Sequence, residues 1–433
     1  MFIFCLLCRK QDKNIAMRLA IIGTGISGIA AACMLHRKYE VTLFEAEARL
    51  GGHAHTVTVE EEGKALQVDT GFIVYNEVTY PNFCRLLDRY KVPTQPSDMS
   101  FSVKCRETGL EYGSKGFGCY FADRKKLLSS RHWRMLGEIF RFNREAIAYL
   151  ERGDTTATLD EFLSERRHSK FFRQYYVEPL LAAIWSAAPG EVGAYPAAYF
   201  LNFFRNHGLL GVNQGHQWRV IKGGSRSYVD AFTEAYRDRV RLSTPVRSIE
   251  RFEDGVQLQT ADGNSERFDQ VIVAVHSDIA LKMLSDASGL EREILSAMSY
   301  RENDVVLHTD ESLLPVNRNA WASWNYEVGT TTNSLPTLTY DMNRLQGLGS
   351  RKRYLVSLNS TGKIAADKVL GRYSYAHPVY TAEGITAQRR HAEISGQRRT
   401  HFCGAYWGYG FHEDGVNSAV AVAKYFGAGI ADA

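Results

Sequence analysis

The chain has 433 residues and a mass of 48.8 kDa, is 45% hydrophobic and 23% charged, and carries a formal net charge of +4. That length allows two or three domains with real cores, and an aromatic content of 12% excludes disorder as the dominant state. A pI near 8.5 gives no reason to invoke nucleic acid. No apolar run approaches the roughly 20 residues of a membrane-spanning helix. Seven scattered cysteines suit a reducing compartment better than a disulfide framework, so a cytoplasmic location is expected.

Residues 1–16 read as an N-terminal extension, because the strong pattern begins at Met17. The apolar stretch from Phe2 to Cys8 is short for a signal segment, and its basic residues follow instead of preceding it. Cys5 and Cys8 make a CxxC with no second ligand pair, so no metal site is expected. Residues 19–22 then read as a buried parallel strand running into Gly23-x-Gly25-x-x-Gly28 and an Ala-rich helix that starts at Ile26 and Ser27. The first glycine suits the tight turn, the second lets a backbone approach a pyrophosphate, and the third allows close helix–strand packing. The free amides and positive end of the helix face the phosphates. Glu45, with Ala46 beside it, closes a second strand 22 residues beyond Gly23, where an acid holds ribose hydroxyls. A dinucleotide is expected here.

Glu45 is followed by Gly51-Gly52-His53, and Val68-Asp69-Thr70-Gly71-Phe72 comes soon after. These segments resemble the flavoprotein superfamily of amine oxidases, phytoene desaturases and protoporphyrinogen oxidases. The resemblance implies FAD. In that superfamily a double glycine and a basic residue lie along the diphosphate, and a strand like the second segment borders the isoalloxazine. His53 stands here where Arg is usual. At the far end, a strand closing at Gly404 precedes Tyr406 to Ser418 and an Ala/Val-rich helix. This is similar to the superfamily's closing motif, with Gly415 and Val416 at a helix terminus facing the flavin. Strands read near residues 241–249, 255–258 and 268–276 resemble the middle portion of the FAD domain, with Val246 against the adenine.

The expected architecture is an α/β FAD-binding Rossmann-like domain of amine-oxidase type with an inserted α+β substrate-binding cap. The FAD domain is expected from residues 17–96, 210–284 and 397–433, and the cap from residues 97–209 and 285–396. Residues 81–93, 124–152, 171–185 and 197–210 read as helical, and 305–358 alternates like strands.

A narrower resemblance rests on GGHAHTV, VDTGFIVYN, NHGLL, VIKGGSRSYV, ASWNY and GFHED. It points to bacterial flavoproteins associated with cyclopropane and methylated fatty-acid synthesis, among them desaturases of methyl-branched acyl chains on the way to furan fatty acids. It implies a lipid or fatty-acyl substrate, with Asp341 standing where an aromatic residue is expected. Two other readings stay open: a flavin amine oxidase, for which Lys222 is the only candidate lysine near the flavin, and a non-catalytic lipid-binding protein like Rab escort proteins. His412 falls where amine oxidases place an aromatic over the flavin. With an imidazole pKa near neutrality, it and Glu413 are the candidate proton-moving groups. His53 and His55 read as sharing one strand face. The basic, apolar stretch from Arg124 to Arg144 reads either as a solvated cap helix or as a peripheral contact on the inner face of a membrane. Oligomeric state is left open.

Overall fold

A computed structural model describes residues 17–153, 156–185, 191–211, 216–329 and 335–433. The expected extension at residues 1–16 lies outside the described residues. Hydrophobic β-formers at Arg18–Ile22 place that strand at the centre of a five-stranded parallel sheet. Across the sheet the order is Val240–Arg241, Glu40–Phe44, Arg18–Ile22, Gln270–Val273 and Thr400–Phe402. Parallel strands need both faces covered. One face carries the helix Ile26–Leu35, buried along its whole length, packed beside His412–Tyr425. The other is covered by the antiparallel strands Val246–Phe252, Gly255–Thr260 and Ser265–Phe268 and by the helices Ser277–Met283 and Gly289–Ser296.

The second unit is a seven-stranded mixed sheet. Its order is Val369–Pro378, Tyr300–His308, Leu355–Leu358, Thr337–Asp341, Trp324–Glu327, Phe101–Cys105 and Leu110–Gly113. Only the pairing of Trp324–Glu327 with Phe101–Cys105 is parallel. A helical layer completes this unit, with Ser130–Glu151 packed on Ala197–Asn206.

Three sequence expectations need correction. The strand read over 268–276 is two: Phe268 ends a strand of the antiparallel sheet, and Gln270–Val273 belongs to the parallel one. The edges drawn at 284 and 397 cut through a core, because Ile294, Leu295, Ala387 and Ile394 share one hydrophobic cluster with Ala20, Ile22, Val271 and Phe402. The helices Gly289–Ser296 and His391–Ile394 therefore pack with the parallel sheet, whereas Ala382–Gln388 bridges it to the cap core through Ile385. The helix read over 171–185 is broken by a π-helical stretch at Arg173–Val177. A π-turn shifts the side chains that follow it around the helix axis.

Candidate active site

The glycine turn sits at the carboxyl edge of the parallel sheet. Gly23 has φ +98°, and a Cβ there would lie 2.6 Å from the Ala274 carbonyl oxygen. A Cβ on Gly28 would lie 2.0 Å from the Gly23 oxygen, which is the close helix–turn contact the third glycine permits. Gly25 differs. A Cβ there meets nothing within 4 Å, and the helix it precedes has neither a side-chain cap nor an acid in its first turn. Free amides and a positive helix end therefore face open space, which is what a diphosphate requires. Gly52 closes the rim, its added Cβ falling 3.1 Å from Gly25 Cα.

A second helix end converges on the same place. A Cβ on Gly415 would approach Ile26 Cγ2 at 2.7 Å and Ser27 Oγ at 2.9 Å, so the two N-termini meet there. Val416 is buried just beyond. Gly404, at the end of the last parallel strand, donates its N–H to Ser418 Oγ at 2.9 Å. At the other end of the groove, Glu45 accepts N–H bonds from Thr24 and Glu47. The Thr244 amide, two residues before Val246, bonds the Glu45 carbonyl at 2.8 Å. Ala46 beside it is exposed. Phe72 N–H donates to the His53 carbonyl at 2.7 Å, and a Cβ on Gly71 would clash with that oxygen at 2.1 Å. Thr70 Oγ1 bonds the Tyr375 hydroxyl at 2.8 Å. His53 Nε2 is buried without a hydrogen-bond partner, directly after Gly52. Glycines that leave open space at Gly25, two converging helix ends and a buried, unpartnered ring nitrogen fit FAD.

The imidazoles are not arranged as the sequence suggests. His53 lies in a turn and His55 in the irregular link just before the strand Thr56–Glu61, so neither is on a strand. His55 Nδ1 bonds the Tyr375 hydroxyl at 2.8 Å, whereas His53 lies 5.8 Å from His276 and 5.7 Å from His377 between ring centroids. Burial lowers the pKa of all three members of that cluster, His377 to about 4, so they stand neutral at pH 7. Sequence reasoning missed His276 and His377, because no spacing rule links positions so far apart.

His412 is held more tightly than expected. Its ring stacks on Phe72 at 3.4 Å, and Nε2 shares a 2.9 Å hydrogen bond with the Tyr228 hydroxyl. Burial pushes its pKa down to about 3, which corrects the near-neutral expectation. Glu413 is also corrected: its oxygens accept the N–H groups of Asn82 and Phe83 at 3.0 and 2.9 Å and so cap the helix Pro81–Arg89. A carboxylate spent on two helix amides is not aimed at a substrate. Glu413→Ala is therefore expected to cost about 1–2 kcal/mol of stability, read by thermal unfolding. Glu413→Gln should keep its flavin-reduction rate within a few-fold. A large rate loss in a well-folded Glu413→Gln protein would restore Glu413 as a base.

The neighbouring Asp414 accepts the Phe411 N–H at 2.9 Å, and burial raises its pKa to about 7. His207 ends the helix Ala197–Asn206, its Nδ1 bonding the Phe203 carbonyl at 2.9 Å. Asp341 caps Met342–Gln346 and pairs with Arg353, which explains a carboxylate at that position. Lys222 is exposed.

These features define a two-domain flavoprotein fold with its cofactor groove between converging helix ends. The sequence pattern described as "Flavin containing amine oxidoreductase" matches residues 26–358, and the chain belongs to that family of FAD-dependent oxidoreductases. It is 25% identical to (S)-6-hydroxynicotine oxidase of Paenarthrobacter nicotinovorans over 260 residues, 59% of either chain. The chain spans about half to three fifths of the length of the curated relatives it matches. A putrescine oxidase triple mutant superposes with a TM-score of 0.68 at 15% identity, covering 95% of this chain and 98% of the other. A CLA-producing fatty acid isomerase from P. acnes gives 0.67 at 16% identity, with 95% and 99% covered. Both likenesses speak to the fold.

Proposed function

We propose that this protein is an FAD-dependent oxidoreductase that desaturates a methyl-branched, unsaturated fatty-acyl chain carried on a phospholipid. The observation that carries this reading is the wall beside the helix end at His412. Trp185, Tyr199, Phe203, Tyr380, Tyr409 and Phe411 form one continuous set of rings with centroid separations of 4.6–6.3 Å. Trp185, Phe203 and Tyr380 are buried in the cap core with Tyr199, Tyr409 and Phe411 packed against them, and this aromatic cluster would flank an acyl chain lying beside the helix end at His412. Asp414 beside it accepts backbone amides, and burial raises its pKa to about 7, so it is only partly ionised near neutrality and a weak partner for an ammonium group. A P. acnes protein of this fold is a fatty acid isomerase, so the architecture is compatible with acyl chains.

FAD, when bound, supplies the two-electron acceptor. A C–H bond next to the branched alkene is lost as hydride, and the methyl group spreads the developing charge onto a tertiary carbon. A proton then leaves the adjacent carbon for water, since His412 and Glu413 are engaged elsewhere, and a conjugated diene results. Holding one C–H bond in place can contribute ~7–11 kcal/mol. The test is anaerobic flavin bleaching with methyl-branched unsaturated, unbranched unsaturated and saturated phospholipids. Only the branched alkene should bleach the flavin. Equal bleaching by all three would remove the cationic mechanism, and bleaching by amines alone would make the protein an amine oxidase.

A further inference from the structure

We propose that the outer face of the helical layer, built from residues 115–147 and the loop at Val316, docks onto anionic phospholipid bilayers; this deepens the reading of a phospholipid-linked substrate and rests on it. Leu128 and Val316 are 94% and 93% exposed, more than any other large hydrophobic side chain among the described residues. They lie far apart in the chain. Asn317 Nδ2 donates to the Ala122 carbonyl at 2.5 Å, which ties the Val316 loop to the segment leading into the turn Arg124–Leu128. Phe117 (56% exposed) and Trp133 (45%) add rings to the same region. Trp133 donates its indole N–H to the Leu127 carbonyl at 2.8 Å, and its ring lies 5.7 Å from Phe117 and 4.9 Å from Phe121. These contacts fix the rings as a patch.

The patch continues along the helix Ser130–Glu151. Trp133, Phe140 and Ile147 are spaced by seven, so they fall on one stripe, and all three are exposed. Single exposed apolar residues need no explanation, but a contiguous set does. Its charge selects the occupant. Residues 115–134 hold six Lys or Arg against one carboxylate, Asp123. Lys115 is paired with Asp98, and the Asp123 carboxylate is spent on the Lys125 amide. Arg124, Lys125, Lys126 and Arg134 have no carboxylate partner among the described residues. Apolar side chains interleaved with unpaired cations suit the headgroup boundary of an anionic membrane. No helix among the described residues is long and apolar enough to cross one. The inner side of Ser130–Glu151 packs on Ala197–Asn206, which carries Tyr199 and Phe203. Docking would thus leave a layer two helices thick between the lipid surface and the aromatic wall.

The experiment is flotation of the FAD-loaded protein with vesicles of phosphatidylcholine alone or mixed with an equal share of phosphatidylglycerol. The wild type should float with the mixed vesicles, far less with phosphatidylcholine alone, and should detach as salt is raised. Lys125→Glu/Lys126→Glu should weaken binding at least about tenfold, since each cation contributes roughly fivefold. Leu128→Asp/Phe140→Asp should abolish it. Unchanged FAD content and unfolding temperature establish that both variants are folded. Failure of the wild type to float, or equal flotation of wild type and both folded variants, overturns the surface. So does a wild-type dimer that Leu128→Asp/Phe140→Asp dissociates without any vesicle binding. Because flotation needs no turnover, binding by a protein that none of the three lipids reduces would refute the reaction and leave the surface standing.

Discussion

Gly25→Val is expected to give a folded but colourless protein, and Gly28→Val one that does not fold correctly. The two glycines lie three residues apart in one turn, yet a side chain meets different surroundings at each. At Gly25 the backbone is extended, with φ −66° and ψ 179°, which valine adopts readily. Its added Cβ has no protein atom within 4 Å. The new methyl groups fill only the space beside the helix amides, where the diphosphate is expected to bind. FAD affinity should fall by at least about a hundredfold, which corresponds to roughly 3 kcal/mol. At Gly28 the Cβ would lie 2.0 Å from the Gly23 oxygen and 3.3 Å from Ala274 Cβ. The helix is buried along its full length, so neither side can yield. Overpacking of this kind costs about 3 kcal/mol or more. Flavin absorbance after gel filtration and thermal unfolding followed by circular dichroism separate the two outcomes. A yellow Gly25→Val protein with native affinity would remove the diphosphate from this turn.

The glycine turn was readable in the sequence because everything it needs is contiguous: a buried strand, three spaced glycines and an Ala-rich helix. Glu45 and the segment leading to Gly415 were readable for the same reason. Residues brought together by long-range packing were not. His276 and His377 reach His53 only because the end of a parallel strand and the last strand of the cap sheet meet there. Glu413 looked like a base because a carboxylate at a helix start has several possible uses. Its actual partner, the helix Pro81–Arg89, lies more than 300 residues away. The low pKa of His412 follows from burial under Phe72 and Tyr228, and composition carries no trace of that. The parallel pairing of Phe101–Cys105 with Trp324–Glu327 likewise has no local signature.

Asp69→Ala is expected to cost about 3–5 kcal/mol of stability, and the loss should shrink as pH rises. The Asp69 carboxylate is fully buried where the FAD cradle meets the cap. Oδ1 accepts bonds from Thr56 Oγ1 at 2.6 Å and from the Ser225 amide and hydroxyl at 2.8 Å. Oδ2 accepts from Gln346 Nε2 at 3.0 Å, and Gln346 Oε1 receives the Asp69 N–H at 2.9 Å. Alanine would strand all of these donors at the residue just before Thr70 and Gly71. Burial nevertheless outweighs the four donors and raises the pKa from 3.8 to about 6. Between those values the folded protein holds a proton that the unfolded chain has released. The contribution of Asp69 is therefore complete below pH 4 and declines by about 3 kcal/mol as pH rises past 6. The gap between wild type and Asp69→Ala in urea unfolding should narrow from pH 5 to pH 8 by roughly half that amount. A gap that widened over this range would mean that the donors stabilise the charged carboxylate more than burial penalises it.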